Sequence, residues 1–131
     1  MRIYVAGASS EKELCASYMQ QLREAGHTVT VDWPSLTTGD DSSLTPERAS
    51  IAAEEDLRGI ERAELLWLIM PEKPSIGCFV ELGYALARLR QEDLFGILVS
   101  GSWRRTIFAQ TADVSRFARH EHALEYIRAF Y

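Results

Sequence analysis

The chain has few cysteines, no long apolar run and no excess of positive charge. Its 131 residues include two cysteines, Cys15 and Cys78, and the formal net charge is -5 at pH 7. This cysteine pattern predicts neither a disulfide framework nor a metal site. No apolar run approaches the roughly 20 residues needed to span a membrane. The negative charge argues against a protein that binds nucleic-acid backbones, but it leaves room for a small anionic ligand held by a local site.

The composition is typical of a soluble globular protein. Hydrophobic residues make up 47% of the chain and charged residues 25%, which are ordinary values. The length suits one domain covering residues 1–131. The first residues, MRIYVAG, predict a strand rather than a signal peptide. We therefore expect a reducing, cytoplasmic environment.

Strand and helix patterns alternate along the sequence. Short apolar runs predict strands at residues 3–6, 28–31, 65–70, 94–99 and 115–118. Apolar residues at spacings of three and four predict helices between them, and the last two candidates cover residues 106–111 and 122–130. Such alternation implies right-handed βαβ units. The predicted fold is α/β, a flavodoxin-like doubly wound five-stranded parallel sheet of order 2-1-3-4-5 with helices on both faces.

The predicted switch point lies between the first and third strands. The connections that follow these strands, residues 7–10 and 71–76, should flank one crevice, where open α/β sheets bind their ligands. Residues 33–45 form a long polar connection. Long connections in compact domains often act as lids or binding loops.

Glu81 is the first candidate for chemistry. It is one carboxylate within an apolar run, early in the helix that follows the central strand. A carboxylate in apolar surroundings is costly unless it is paired or used. Near a helix N-terminus it stays ionised and can act as a nucleophile or stabilise an oxocarbenium ion. The alternative is that it only caps its own helix.

Asp56 and Tyr4 are the next candidates. Asp56 follows two glutamates on the second long helix, and three acids in a row more often form a solvated face. Tyr4 interrupts an apolar strand, and its hydroxyl needs a partner when buried. Glu81 is a plausible partner, although an ordinary core tyrosine is the simpler interpretation.

The two connections at the switch point supply candidate substrate-binding residues. Gly7, Ser9 and Ser10 offer backbone N–H groups at a helix N-terminus, a common anion site, although they match no established phosphate-binding motif. Ser75 and Gly77 add a hydroxyl and close backbone approach, and turn formation explains them equally well. Trp33, at the end of the second strand, is a candidate for stacking on a base, with packing as the alternative.

Three segments together resemble the nucleoside 2-deoxyribosyltransferase superfamily, which includes deoxynucleoside 5′-monophosphate N-glycosidases. They are residues 3–7 (IYVAG), 55–60 (EDLRGI) and 75–85 (SIGCFVELGYA), and their order and spacing are more specific than any one of them. The resemblance covers nearly the whole chain. It implies that Glu81 attacks C1′ of a 2-deoxyribosyl group, that Asp56 binds and helps to protonate the base, and that Tyr4 holds the nucleophile.

The resemblance implies an enzyme that forms a deoxyribosyl–enzyme ester and passes the sugar to a second base. It implies no metal or organic cofactor, small-molecule nucleoside, nucleotide and nucleobase ligands, and a homodimer or larger assembly. Double displacement of this kind is the logic of retaining glycosidases.

The chain departs from the transferase pattern at two places. Ser75 stands six residues before Glu81, where the transferases usually carry an Asp and the monophosphate glycosidases a Ser that helps to bind the 5′-phosphate. The glycosidases also use an Arg where this chain has Ser10, and Arg104 or Arg105 is a candidate replacement. The sequence contains no Asn, whereas the transferases borrow one from a neighbouring subunit near the C-terminus.

Four functions therefore stay open. Transfer of the sugar to a second base is the leading interpretation, and hydrolysis of a deoxynucleoside 5′-monophosphate is the first alternative. A non-catalytic nucleotide-binding module on the same fold is the second. Cleavage of a nicotinamide–ribose bond, as in TIR-type domains that also use a Glu, is the third.

Overall fold

The computed structural model describes residues 1–36, 44–73 and 75–131. Within them the strands are β1 (Arg2–Ala6), β2 (Thr28–Val29), β3 (Leu65–Ile69), β4 (Gly96–Ser100) and β5 (Val114–Phe117). The helices are α1 (Lys12–Glu24), α2 (Trp33–Leu36), α3 (Pro46–Arg62), α4 (Gly77–Arg90) and α5 (His120–Phe130). Short 3₁₀ helices cover Ser9–Glu11, Trp103–Arg105 and Ile107–Gln110.

The strands form one parallel sheet in the order β2-β1-β3-β4-β5. This confirms the predicted flavodoxin-like topology. Every residue of β3 is buried, as expected for a central parallel strand covered on both faces. Tyr4 of β1 pairs with Leu66 of β3, which in turn pairs with Ile97 of β4. The fixed register places the carboxyl ends of β1 and β3 side by side.

Apolar side chains cover both faces of the sheet. On one face, Tyr4 and Leu66 pack with Ile60 of α3 and Leu82 of α4. On the other face, Trp67 packs with residues of α1 and α5, including Met19, Leu22, Leu124 and Ile127. Alternating directions of successive strand side chains divide the core in this way. Within the described ranges, no helix is both long and apolar enough to cross a membrane.

Local signals set the ends of two helices. Thr45 caps α3, because its Oγ1 accepts a hydrogen bond from the Arg48 N–H at 3.3 Å, and Pro46 follows at the first helical position. Both are favoured at a helix start. Gly26 follows α1 with a φ of 91°, a left-handed conformation that suits glycine after a helix.

Several element bounds differ from the sequence prediction. β2 has two residues because it is an edge strand paired only with β1. The prediction of an irregular polar segment after it is wrong at α2, where the N–H and Oγ of Ser35 donate to the carbonyl of Asp32 at 3.3 and 2.9 Å. α5 begins at His120, two residues before the predicted start. The expected lid falls largely on residues 37–43, outside the described residues.

Candidate functional site

A cavity of about 440 Å³ opens at the switch point between β1 and β3. Its walls come from the carboxyl ends of these strands, from α2 and α3, and from the first turns of α4. The lining residues are Tyr4, Gly7, Ser9, Val31, Trp33, Leu36, Leu44, Arg48, Ile51, Ala52, Glu55, Asp56, Ser75, Gly77, Cys78 and Glu81. Eight of the nine residues singled out in the sequence therefore share one cavity. The ninth, Ser10, is exposed and lies outside this lining.

Tyr4 stands at the floor of the cavity between the carboxyl groups of Glu81 and Asp56. Its side chain is 1% exposed, and its hydroxyl donates a hydrogen bond to Oε2 of Glu81. Asp56 also hydrogen-bonds the same hydroxyl. Burial, followed by the charges of Glu81 and Asp56, raises the pKa of Tyr4. The phenol therefore stays protonated and remains a hydrogen-bond donor at neutral pH.

Three secondary-structure elements bring these groups together. β1 presents Tyr4, α3 presents Asp56, and the second turn of α4 presents the half-buried Glu81. Gly59 allows α3 to approach β1, because a Cβ at this position would lie 3.1 Å from two ring atoms of Tyr4 and even closer to the Val31 side chain. A helix glycine costs stability relative to alanine, and here the close approach accounts for it.

Two carboxyl groups that hydrogen-bond one phenol hydroxyl can divide a substitution reaction between them. Glu81, oriented by the hydrogen bond from Tyr4 to its Oε2, can attack an electrophilic carbon with its carboxylate. Asp56, on the opposite helix, can exchange a proton with a leaving or entering group. Retaining glycosidases use two carboxyl groups in these two roles.

The connections after β1 and β3 form the polar side of the cavity. Ser9 and Ser75 bring hydroxyls, while Gly7 and Gly77 bring exposed backbone. A side chain at Gly7 would place its Cβ 2.5 Å from Sγ of Cys15 and 3.5 Å from the Trp33 ring. The absence of a side chain at Gly7 therefore allows Cys15 and Trp33 to pack closely against the end of β1.

Cys78 lines the cavity but is a poor nucleophile. Its Sγ lies 3.6 Å from the Ser75 carbonyl oxygen, and burial raises the pKa of the thiol to about 11. Burial likewise raises the pKa of Cys15 to about 12. Reactive cysteines instead have lowered pKa values, so Glu81 is the better candidate for covalent chemistry.

Trp33 forms a fixed apolar wall. Its Nε1 donates to the Val5 carbonyl oxygen at 2.8 Å, which anchors the indole to the end of β1. Leu36, Leu44 and Ile51 add further apolar side chains to the lining of the cavity. A flat, mainly apolar surface opposite polar groups is suited to an aromatic ring such as a nucleobase.

Arg48 and Glu55 were missed in the sequence. Arg48 is the only basic side chain among the lining residues that the structure describes. It precedes Glu55 by seven residues on α3, two helical turns, so both lie on the face that also carries Asp56. This helical spacing is the signal in the sequence that could have identified Arg48 and Glu55 as neighbours of Asp56. Arg104 and Arg105 do not belong to the described lining of the cavity.

The described side chains provide no metal centre. Across residues 1–36, 44–73 and 75–131, no three His, Cys, Asp or Glu side chains come together as candidate ligands.

The fold is similar to that of a solved CMP N-glycosidase, BcmB, from Clostridium botulinum. The two structures superimpose with a TM-score of 0.62 at 15% sequence identity, and the match covers 99% of this chain and 100% of that chain. No protein-family model and no curated protein matches the sequence. At this identity the likeness concerns the shared fold.

Proposed function

We propose that the protein cleaves the N-glycosidic bond of a nucleoside or nucleotide, with Glu81 as the nucleophile. The observation that carries the proposal is the hydrogen bond from the buried Tyr4 hydroxyl to Glu81, with Asp56 bound to the same hydroxyl. This arrangement lies in a cavity with one apolar and one polar side, as a base joined to a sugar requires.

In the first step, Glu81 attacks C1′ and the bond from C1′ to the base nitrogen breaks. The bonding electrons leave with the base, which takes a proton from the neutral carboxyl form of Asp56. A glycosyl ester of Glu81 forms, and Asp56 becomes a carboxylate. Tyr4 keeps the attacking carboxylate oriented, and orientation of reacting groups lowers the barrier substantially.

In the second step, a new acceptor attacks C1′ and releases Glu81. Asp56 takes the proton from this acceptor and returns to its starting form. The acceptor is either a second base, giving transfer, or water, giving hydrolysis. Two displacements at C1′ retain the configuration at this carbon.

The polar side of the cavity would bind the sugar and any 5′-phosphate. Ser9, Ser75 and the backbone at Gly7 and Gly77 supply neutral donors, and Ser10 stands beside them. Arg48 supplies the positive charge that a phosphate favours. The wall around Trp33 would pack against the base.

Transfer to a second base is the outcome that the superfamily resemblance implies. Hydrolysis of a 5′-monophosphate is the second candidate. It is favoured by Ser75, by the absence of Asn from the sequence, and by a structural neighbour that is itself an N-glycosidase.

Chromatography of the products tests the proposal. Purified protein is incubated with 2′-deoxynucleosides, ribonucleosides and their 5′-monophosphates, each with and without a second free base. Free base is expected from the wild type, and Glu81→Gln is expected to release none while keeping its fold by circular dichroism. A new nucleoside carrying the added base would establish transfer, and free sugar or sugar phosphate would establish hydrolysis.

Three outcomes would count against the proposal. Base release that survives Glu81→Gln would exclude the nucleophile. Tight binding of a nucleotide with no base release over long incubation would instead favour a binding module. Release of nicotinamide from NAD, with the nucleosides untouched, would assign a different substrate.

A further inference from the structure

The connection that follows β3 is held by contacts on two sides. On one side, Oε2 of Glu11 accepts a hydrogen bond from the Glu72 N–H at 3.0 Å. On the other side, Nη1 of Arg105 donates to the carbonyl oxygens of both Pro71 and Glu72. Nη2 of Arg105 also lies 3.9 Å from the Glu72 carboxylate. Two consecutive residues are thus fixed by partners from two other connections of the sheet.

These two residues stand immediately before the part of the chain that lines the cavity. Ser75 follows Glu72 by three positions, and α4 with Gly77, Cys78 and Glu81 comes next. A displacement at Pro71 or Glu72 would therefore be passed on to Ser75 and to the start of α4. The position of Glu81 relative to Tyr4 depends on where this helix begins.

Glu11 joins the two sides of the crevice. It is the last residue of the 3₁₀ helix Ser9–Glu11, so the segment that carries Ser9 into the cavity also binds the amide of Glu72. The connection after β1 and the connection after β3 are consequently tied to each other directly. Through this link, a shift of the connection that carries Ser9 would also shift the connection that carries Ser75.

Arg105 is suited to its contacts by its shape. A guanidinium presents five N–H groups in a plane, so one nitrogen can serve two carbonyls while another faces a carboxylate. A lysine ammonium lacks this planar arrangement. Arg105 is directed at the backbone of the neighbouring connection, not into the cavity.

We propose that Arg105 and Glu11 are positioning residues that hold the connection after β3, and through it Ser75 and Glu81, in the geometry required for reaction. The inference rests on the proposed function, since it concerns the same cavity. Neither side chain needs to contact the substrate. Misplacement of reacting groups by about 1 Å costs about 100-fold in rate, so a small relaxation is sufficient for a measurable effect.

The test compares Arg105→Gln with Arg104→Gln. Both variants lose one positive charge from the same 3₁₀ helix, but the Arg104 guanidinium lies over the Trp103 ring, 5.0 Å from its centroid. Arg105→Gln is expected to lower kcat/KM by about 10- to 100-fold, with a Tm within a few degrees of wild type. Arg104→Gln is expected to stay within twofold of wild type.

Glu11 provides a second, independent pair of variants. Glu11→Gln keeps a side-chain oxygen that can accept from the Glu72 N–H, whereas Glu11→Ala removes the acceptor. The glutamine variant is expected to recover most of the activity that the alanine variant loses. A role limited to charge would give the same loss in both.

Amide hydrogen exchange gives a readout that does not depend on turnover. Arg105→Gln and Glu11→Ala should speed exchange at the Glu72 amide and in the first turns of α4, while Arg104→Gln should not. Active variants with wild-type kcat/KM would overturn the inference alone. If the wild-type protein releases no base, the proposed function is wrong. If hydrogen exchange is also unchanged in Arg105→Gln and Glu11→Ala, these two residues do not hold the connection after β3.

Discussion

Gly59→Ala tests whether the approach of α3 to Tyr4 is as close as the structure has it. The new Cβ would lie 3.1 Å from Cδ2 and Cε2 of the Tyr4 ring, and closer still to Cγ2 of Val31. Either α3 moves outward or the two side chains shift. Since Tyr4 binds Glu81 and Asp56, both responses disturb the candidate site.

Two opposing terms set the size of the effect on stability. Replacing a helix glycine with alanine stabilises by about 1 kcal/mol. Forcing an extra methyl group into a packed core costs about 1–3 kcal/mol. Gly59→Ala should therefore change the free energy of unfolding by between about zero and 2 kcal/mol, in the destabilising direction.

Gly83 in α4 is the matched control. A Cβ added there meets nothing within 4 Å, so Gly83→Ala should gain about 1 kcal/mol from helix propensity alone. The same chemical change is thus expected to separate the two variants by about 1–3 kcal/mol.

Urea unfolding followed by circular dichroism measures both free energies of unfolding. If Gly59→Ala proves as stabilising as Gly83→Ala, α3 does not pack against Tyr4 as described. The positions of Asp56 and Tyr4 in the candidate site would then be wrong as well.

Two other predictions concern residues that line the cavity, and a third concerns the pH dependence of stability. Tyr4→Phe removes the hydroxyl that binds Glu81. Because a hydrogen bond to a charged group contributes about 1.5–3 kcal/mol, kcat/KM should fall by about 10- to 150-fold. An unchanged kcat/KM would remove Tyr4 from the mechanism. Arg48→Gln should raise KM for a 5′-monophosphate about two- to fivefold, as expected for an exposed charge, and leave KM for the nucleoside unchanged; equal effects on both would exclude a phosphate contact. Burial lowers the pKa of His120, whose Nδ1 lies 2.7 Å from the Ser100 hydroxyl. As the pH falls, His120 therefore takes up its proton at a higher pH in the unfolded protein than in the folded protein. The stability linked to this residue should be fully present above a pH of about 6.5 and should decline as the pH falls below it. This decline should be smaller in His120→Gln, and an equal decline in both proteins would contradict the assignment.

The alternation of strands and helices made the fold predictable from the sequence. β3 is apolar at every position, a pattern typical of a central parallel strand covered on both faces. Once β1 and β3 are placed side by side, the rule for ligand sites at the switch point brings Glu81 and Ser75 to the same crevice as Gly7 and Ser9. Topology alone therefore brought four of the described lining residues together.

Contacts that cross between elements could not be predicted in this way. The sequence offers no signal that Arg105 binds two backbone carbonyls, since a pair of arginines on a surface connection is usually solvated. Arg48 was overlooked because its relation to Asp56 depends on which face of α3 meets β1. The close contact at Gly59 decides that face, and it is visible only in three dimensions.

Edge elements were also hard to predict from sequence. β2 has a single neighbour, and it pairs only with Arg2 and Ile3 at the start of β1, so its β-branched residues do not by themselves predict its length. The helical turn at α2 forms around the Asp32 carbonyl. This turn carries Trp33 into the cavity wall. The sequence shows only that Trp33 follows the second strand.

The most direct test of the account is the detection of a glycosyl ester on Glu81. Protein is mixed with a nucleotide or nucleoside that it cleaves, quenched in acid within the first turnover, and examined by intact mass and peptide mapping. The account predicts an added mass of one sugar, or one sugar phosphate, on the peptide that contains Glu81, and none in Glu81→Gln. Base release by the wild type with no such adduct on Glu81 within the first turnover would contradict covalent catalysis by Glu81.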